Sequence, residues 1–168
     1  RGNALREAWG ASDADTLVYM DADLATDLAH LPELVNALAS SHLAVGSRFA
    51  GATIKRSPFR EFVSRVYRVI SHAVVPFKTK DLQCGFKAIR REAASELLPL
   101  TSHNGWFFDT ELIAHAEHRG LAIAEIPVRW EEGRDARRKS SVNVFSTAFD
   151  NIKHLWILRK NLRRTRKG

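Results

Sequence analysis

The chain has 168 residues, of which 45% are apolar, and its 26 lysines and arginines against 19 aspartates and glutamates give a net charge of +7. These values predict one folded domain and exclude a wholly disordered, collagen-like or coiled-coil chain. No apolar run approaches the ~20 residues that span a bilayer. The single cysteine, Cys84, excludes an internal disulfide and a zinc site built from several cysteines.

The first half of the chain predicts alternating helices and strands. Asp27 is placed to cap one helix, and Ser57 followed by Pro58 is a typical start for another. In chain order we expect a helix over 3–11, a strand over 16–20, a helix over 29–40, a strand over 43–46 and a helix that begins at 57–58 and ends before 76.

The second half continues this alternation. Pro127 indicates an edge position or irregular pairing for the last strand. Strands that alternate with helices predict an α/β fold with a mostly parallel sheet flanked by helices. Four strands make a thin sheet for that class, so we expect further strands to precede Arg1. In chain order we expect a strand over 85–89, helices over 91–98 and 108–119, a strand over 122–130, a polar loop over 131–141 and a final helix over 142–162.

The excess positive charge is concentrated at the C-terminus. No acidic residue follows Asp150, whereas seven lysines and arginines do, so residues 1–150 are formally neutral. A basic tail is typical of a protein that meets an anionic surface such as a membrane, a nucleic acid or a partner. A solubilising, partly disordered end would have the same composition.

Two carboxylates follow the first predicted strand directly. Asp21 and Asp23 lie at the carboxyl end of that strand, where open α/β sheets bind their ligands. Two such side chains can converge on one hard cation such as Mg²⁺, together with substrate phosphates. Turn formation and helix capping are the structural alternative.

A set of spaced cations follows the second predicted strand. Arg48 comes directly after it, and Arg60 and Ser64 are four residues apart, so they share one face of the next helix. Several guanidinium groups beside a hydroxyl suit a phosphate, which arginine binds in a bidentate manner. Further cations close by in the sequence are Lys55, Arg56, Arg65 and Arg68. A solvated helix face would carry the same residues.

Further acidic candidates lie in the second half of the chain. Asp109 and Glu111 begin a helix directly behind three aromatic residues. They can stabilise the helix dipole, or face a site and contact a sugar hydroxyl or act as a base. Asp81, at a junction between a loop and a strand, is another candidate.

The loop before the last helix is long, cationic and rich in hydroxyl groups. Such loops often close over anionic substrates, although a mobile surface loop has a similar composition. Its candidate residues are Arg134, Arg138, Lys139 and Ser140.

Together these features resemble, in their order, the family 2 glycosyltransferases of the GT-A, or Rossmann-like, fold. The resemblance is greatest to the polyprenyl-phosphate hexosyltransferases, that is, dolichyl-phosphate glucosyltransferases and dolichol-phosphate mannose synthases. Mannose synthases typically carry Gln where this chain has Ala25, which favours the glucosyltransferase-like branch. The matching stretches are 1–6, 19–24, 45–48, 60–65, 81–87, 108–112 and 125–130.

The resemblance implies that a hexose moves from a nucleotide sugar, UDP-glucose or GDP-mannose, to the phosphate of a polyprenyl lipid. Asp21 and Asp23 would hold Mg²⁺ or Mn²⁺ against the diphosphate, and the loop over 134–140 would cover the donor. Asp109 and Glu111 match the acidic site where related transferases place the base. A phosphate monoester is mostly anionic at neutral pH, so we expect these two acids to orient the sugar or cations instead. Arg48, Arg60 and Ser64 would bind the lipid phosphate.

The resemblance also implies a domain organisation. Residues 1–145 would be the C-terminal portion of a GT-A domain whose first strand–helix–strand segment precedes Arg1. Residues 146–168 would form an amphipathic helix and a basic tail that lies on the cytoplasmic face of a membrane, or that in its first part packs on the domain's own core. We expect no nucleic-acid partner, because cations outside the tail are balanced by acids. A family 2 enzyme with a hydroxyl acceptor and a non-catalytic domain are the alternatives.

Overall fold

The computed structural model describes residues 1–50, 54–55, 58–131 and 144–165. The helices in these ranges are α1 (Gly2–Gly10), α2 (Leu31–Asn36), α3 (Pro58–Val74), α4 (Arg91–Leu97), α5 (Phe108–His118) and α6 (Val144–Thr165). The strands are β1 (Thr16–Met20), β2 (Leu43–Ser47), β3 (Ile54–Lys55), β4 (Phe86–Arg90), β5 (Ile123–Pro127) and β6 (Trp130–Glu131).

The predicted α/β class is confirmed, but the pairing of the strands differs from the mostly parallel sheet that we predicted. The main sheet has the order β1-β4-β2-β5, in which β4 runs antiparallel to both β1 and β2, and only β2 and β5 pair in parallel. The direction of β4 follows from where it starts. Gly85, just before β4, accepts a hydrogen bond from the N–H of Asp21, just after β1, at 2.8 Å.

The predicted strand over 122–130 is divided in two. β5 lies at the edge of the main sheet, as Pro127 predicted, and ends at that proline. Proline has no N–H with which to continue a ladder. After it the chain forms β6, which pairs in parallel with β3 in a separate two-stranded sheet.

Alternate residues of the strands enter two apolar clusters, one on each side of the main sheet. Leu43 and Ile89 belong to the larger cluster, which α1, α3, α4, α5 and α6 cover, whereas Ala44 and Phe86 face the smaller cluster, which α2 covers. Because side chains alternate along a strand, Lys87 of β4 points to the same side as Ile89. A fully buried lysine therefore lies at the edge of the larger core.

One face of α6 belongs to the same core. Leu155 and Leu158 are buried among residues of the sheet and of α5, and α6 packs against α3. Of the helices in the described ranges, none has the length and apolarity needed to cross a bilayer.

Candidate active site

The two carboxylates after β1 lie on one tight turn. Oδ1 of Asp23 accepts a hydrogen bond from the N–H of Ala25 at 3.1 Å. Leu24, which lies between Asp23 and Ala25, has a φ of 52°. This left-handed conformation is uncommon for residues other than glycine. Asp23 is exposed and Asp21 is partly exposed, so both can reach a ligand in solution.

Gly85 fixes the position of Asp21 from the other side. A Cβ atom on Gly85 would lie 2.0 Å from Oδ2 of Asp21 and 2.2 Å from its carboxyl carbon. No side chain fits at such distances, because the carboxylate packs directly on the backbone at the start of β4. A side chain at position 85 would therefore displace the carboxylate of Asp21, and only glycine leaves it in place.

Arg1 joins this turn to a second acidic residue. Its guanidinium contacts the carboxylate of Asp21 and lies 2.9 Å from Oδ2 of Asp109. The same guanidinium stacks on Trp106, 3.9 Å from the ring centroid. Sequence reasoning missed Arg1 and Trp106 as single residues, although Arg1 opens the first stretch that matches the family.

Asp109 is fully buried and serves as the centre of a charged cluster. Its Oδ1 accepts hydrogen bonds from Nζ of Lys87, at 2.8 Å, and from the hydroxyl of Tyr19. Burial, followed by the charge of Asp109, raises the pKa of Tyr19 well above its usual range, so this hydroxyl stays protonated. With Arg1 as a third donor, the carboxylate of Asp109 holds one cation in the core and one beside Asp21.

Glu111 has a different position. Its carboxylate accepts hydrogen bonds from the backbone N–H groups of Ser102 and His103, at 3.0 and 2.8 Å, and from the hydroxyl of Ser102 at 3.1 Å. The side chain is 8% exposed. The structure thus places Glu111 under the segment that precedes α5, where it fixes the backbone.

Arg48 and Asp81 form a buried bidentate pair. Nε and Nη2 of Arg48 lie 2.7 and 2.9 Å from the two carboxylate oxygens, and the backbone N–H of Arg48 donates to Asp81 at 2.9 Å. Burial opposes the charge of Asp81, but the guanidinium outweighs burial and lowers the pKa of this carboxyl. Both ions are therefore charged at neutral pH, and much of the positive charge of Arg48 is already compensated.

A pocket opens beside this pair. Arg48 and Ser64, two of the predicted phosphate-binding residues, both line it, whereas the side chain of Arg60, in the first turn of α3, lies outside the described residues. Arg68 was noted from the sequence only as a nearby cation and not assigned to the phosphate, although its spacing of four from Ser64 places it on the same face of α3. The full lining is Arg48, Phe49, Ser64, Tyr67, Arg68, Lys80, Asp81, Leu82 and Gln83.

The pocket and the carboxylate turn are neighbours. Asp81 to Gln83 line the pocket and Gly85 touches Asp21, so a segment that extends at most ~14 Å joins them. Trp130 also bridges the two, because it pairs with Thr26 and its ring centroid lies 5.8 Å from the guanidinium of Arg48.

Cys84, in the same segment, offers no thiolate. It is 1% exposed, and burial, followed by the charge of Asp81, raises its pKa to about 11. A buried, protonated thiol is unreactive at neutral pH, which excludes it as a nucleophile.

The predicted donor-covering residues Arg134, Arg138, Lys139 and Ser140 lie outside the described residues. The chain enters that segment beside the carboxylate turn, since the N–H of Glu131 donates to the carbonyl of Ala25 at 2.9 Å. Coverage of the donor stays a prediction.

The sequence is similar to those of known glycosyltransferases. AglD, a glycosyltransferase of Haloferax volcanii, is 37% identical over 99% of this chain and 27% of its own length. The dolichyl-phosphate beta-glucosyltransferase ALG5C of Trichomonas vaginalis is 33% identical over 84% of this chain and 44% of its own length. The chain thus spans less than half the length of each of these relatives.

The fold is that of a solved glycosyltransferase. The crystal structure of glucosyl-3-phosphoglycerate synthase from Mycobacterium tuberculosis with Mn²⁺, UDP and phosphoglyceric acid superimposes with a TM-score of 0.71 at 19% identity, over 95% of this chain and 54% of that one. The sequence model of glycosyl transferase family 2 matches residues 1–98, more than half of the chain and a range that includes Asp21, Asp23 and the pocket. The resemblance found in the motifs is confirmed, and the chain belongs to glycosyl transferase family 2.

Proposed function

We propose that the protein transfers a hexose from a nucleotide diphosphate sugar to the phosphate of a polyprenyl lipid. One observation carries this proposal: a turn with two accessible carboxylates lies next to a cationic pocket. The segment 81–85 joins the turn and the pocket, which we take as the donor half and the acceptor half of one site. The name of the T. vaginalis relative, a dolichyl-phosphate beta-glucosyltransferase, supports a lipid phosphate as the acceptor.

In the donor half, Asp21 and Asp23 would hold a divalent cation, Mg²⁺ or Mn²⁺. Their exposure suits such ions, which combine one or two carboxylates with waters and substrate phosphates. The M. tuberculosis neighbour, solved with Mn²⁺ and UDP, supports this proposal. When bound, the cation offsets the charge that develops on the departing diphosphate. Arg1 would supply a second positive charge beside the same group.

In the acceptor half, the chemistry demands position more than proton transfer. The second pKa of a phosphate monoester is about 6, so the acceptor is mostly dianionic at neutral pH. The site then has to hold it in line with the sugar. The positions of Asp109, enclosed by three donors, and Glu111, bound to backbone N–H groups, are compatible with a reaction that requires no base.

We propose UDP-glucose as the donor. Ala25 stands where mannose synthases typically carry Gln, and the T. vaginalis relative is named a glucosyltransferase. The test offers UDP-glucose and GDP-mannose to the intact protein with three acceptors: polyprenyl phosphate, the corresponding polyprenol and an oligosaccharide. We expect UDP-glucose to give product with the phosphate alone. Equal transfer to an oligosaccharide hydroxyl would instead favour the alternative family 2 reaction, which needs a base, and product from GDP-mannose alone would overturn the choice of sugar.

A membrane surface is proposed as a partner on the basis of exposed apolar side chains. Phe59, Phe62, Val66 and Val69 lie at helical spacing on one face of α3, and Phe62 is 65% exposed. α6, which packs on α3, exposes Phe149, 76% accessible, and Trp156. Apolar faces beside cations are typical of helices that lie in a membrane interface. The exposed cations of α6 are Lys153, Lys160, Arg163 and Arg164.

This arrangement would bring the site to its lipid. α3 carries both the apolar face and the pocket residues Ser64 and Arg68, so a helix that lies in the interface presents the pocket at the depth of lipid phosphates. The cytoplasmic face is proposed because its anionic lipids attract basic segments.

We expect Phe62→Asp and Phe149→Asp each to weaken binding to vesicles that contain anionic lipid at least ~10-fold. Each change removes an exposed aromatic group that would insert into the membrane interface, and adds a charge that anionic lipids repel. Cosedimentation with vesicles measures this binding. Leu28→Asp, which alters an exposed leucine outside both helices, is the control and should bind as the unaltered protein does. Wild-type binding by both phenylalanine variants would contradict the proposal.

A further inference from the structure

One cation in the pocket lacks the compensation that its neighbour has. Arg48 is paired through two nitrogens and its backbone with Asp81. Arg68, in the same pocket, has a buried Nε with no hydrogen-bond partner among the described residues. A buried donor without a partner is rare in native proteins, and a charged one is best satisfied by an anion.

The guanidinium of Arg68 is also held in place. Its central carbon lies 4.9 Å from the centroid of the Phe49 ring, within the range of a cation–π contact, which provides no hydrogen-bond acceptor for the N–H groups of the guanidinium. Ser64, one helical turn earlier on the same face of α3, lines the same pocket and offers a hydroxyl. Together they form a donor set for a tetrahedral oxyanion.

The charge of the pocket fits a phosphate monoester. Among the lining residues, the positive charges of Arg48, Arg68 and Lys80 exceed the negative charge of Asp81 by two. Glu61, just outside the lining, acts on Arg48 and offsets part of this excess, so the pocket stays cationic overall. A phosphate monoester carries roughly −1.5 to −2 at neutral pH. Burial raises the pKa of Tyr67, which lines the same pocket, so its hydroxyl is neutral and repels no anion.

We infer that Arg68, assisted by Lys80, binds the acceptor phosphate directly, and that Arg48 acts mainly as a positioning residue that Asp81 holds at the wall of the pocket. This inference rests on the proposed function, and it adds a phosphate-binding residue that the motifs alone do not identify. Loss of Arg68 would then weaken binding of the acceptor phosphate and leave binding of the donor unaffected. Among the described residues, Asp21 and Asp23 share no contact with Arg68.

The test compares Arg68→Ala, Arg68→Lys and Arg119→Ala in the intact protein. Arg119 is the control, because its side chain is 49% exposed and pairs with Glu96, and neither residue lines the pocket. We expect Arg68→Ala to raise the KM for polyprenyl phosphate about 10- to 100-fold, the loss typical of a hydrogen bond to a charged group. The KM for the sugar nucleotide should not change. For Arg68→Lys, the KM for polyprenyl phosphate should lie between that of the unaltered protein and that of Arg68→Ala.

Binding without turnover separates this inference from the proposed function. Calorimetry measures the affinity for polyprenyl phosphate and for inorganic phosphate in the absence of donor. We expect both ligands to bind the unaltered protein and to bind Arg68→Ala at least ~10-fold more weakly. If polyprenyl phosphate binds both proteins equally, the inference is wrong while the function stands. If neither phosphate ligand binds the unaltered protein, the proposed acceptor itself is wrong.

Discussion

Gly85→Ala is expected to reduce the proposed hexose transfer at least ~100-fold. The added methyl would lie 2.0 Å from Oδ2 of Asp21, so either the carboxylate or the start of β4 must move. Displacing a group that positions a substrate by about 1 Å can cost about 100-fold in rate. The backbone of Gly85 has no positive φ, so alanine fits its conformation and the effect comes from the close approach alone. Initial rates at saturating donor and acceptor measure the loss.

Two comparisons make this result specific. Gly10→Ala adds a methyl whose Cβ would have no heavy atom within 4 Å beyond its chain neighbours and the adjoining backbone of α1, and it should leave the rate unchanged. In an Asp21→Asn background, Gly85→Ala should cost much less than it does alone, because substitutions that act through one group are not additive. Full additivity of the two changes would show that Gly85 does not act through Asp21.

Lys87→Met is expected to lower the free energy of unfolding by about 3 kcal/mol, the lower end of the cost of removing one partner from a buried ion pair. Lys87 and Asp109 are both 0% exposed and lie 2.8 Å apart. Methionine fills a similar volume but leaves the carboxylate of Asp109 in the core with one donor fewer. Arg1 and Tyr19 still donate hydrogen bonds to this carboxylate, so we expect a loss at the lower end of that range. Urea unfolding, followed by tryptophan fluorescence, measures the change.

Lys78→Met is the matched control, since Lys78 is exposed and surface substitutions usually change stability by less than about 0.5 kcal/mol. The double variant Lys87→Met/Asp109→Asn removes both charges and should be more stable than Lys87→Met alone. A single variant as stable as the control would mean that Lys87 contributes no net stabilisation to the core.

Local patterns were enough to predict most of the secondary structure and the turn that carries Asp21 and Asp23. The apolar run of β1 followed by Asp21 and Asp23 is a short-range signal, and the structure has the strand and the turn where the sequence predicts them. The direction of β4 was not predictable, because alternation of strands and helices does not specify how a strand enters the sheet. That direction shows only in pairing between distant residues, such as the antiparallel ladder of β1 with β4 and the hydrogen bond between Asp21 and Gly85, 64 positions apart in the sequence.

The charged pairs of the site were beyond local patterns for the same reason. Asp109 lies 22 residues from Lys87 and 90 from Tyr19, and Asp81 lies 33 from Arg48. Each residue alone has the appearance of a surface charge or a helix-capping group. The alternation of β4 offered one usable signal, since it places Lys87 on the same face as the apolar Ile89 and so indicates a buried partner.

The most direct test of the central claim is the affinity of the intact protein for UDP-glucose with and without Mn²⁺, measured for the unaltered protein and for Asp23→Asn. Asp23 is exposed and bonds within its own turn, so this change should leave the fold intact. We expect tight binding with the metal, at least ~10-fold weaker binding without it, and no effect of the metal in the variant. Metal-independent binding that Asp23→Asn leaves unchanged would contradict this claim.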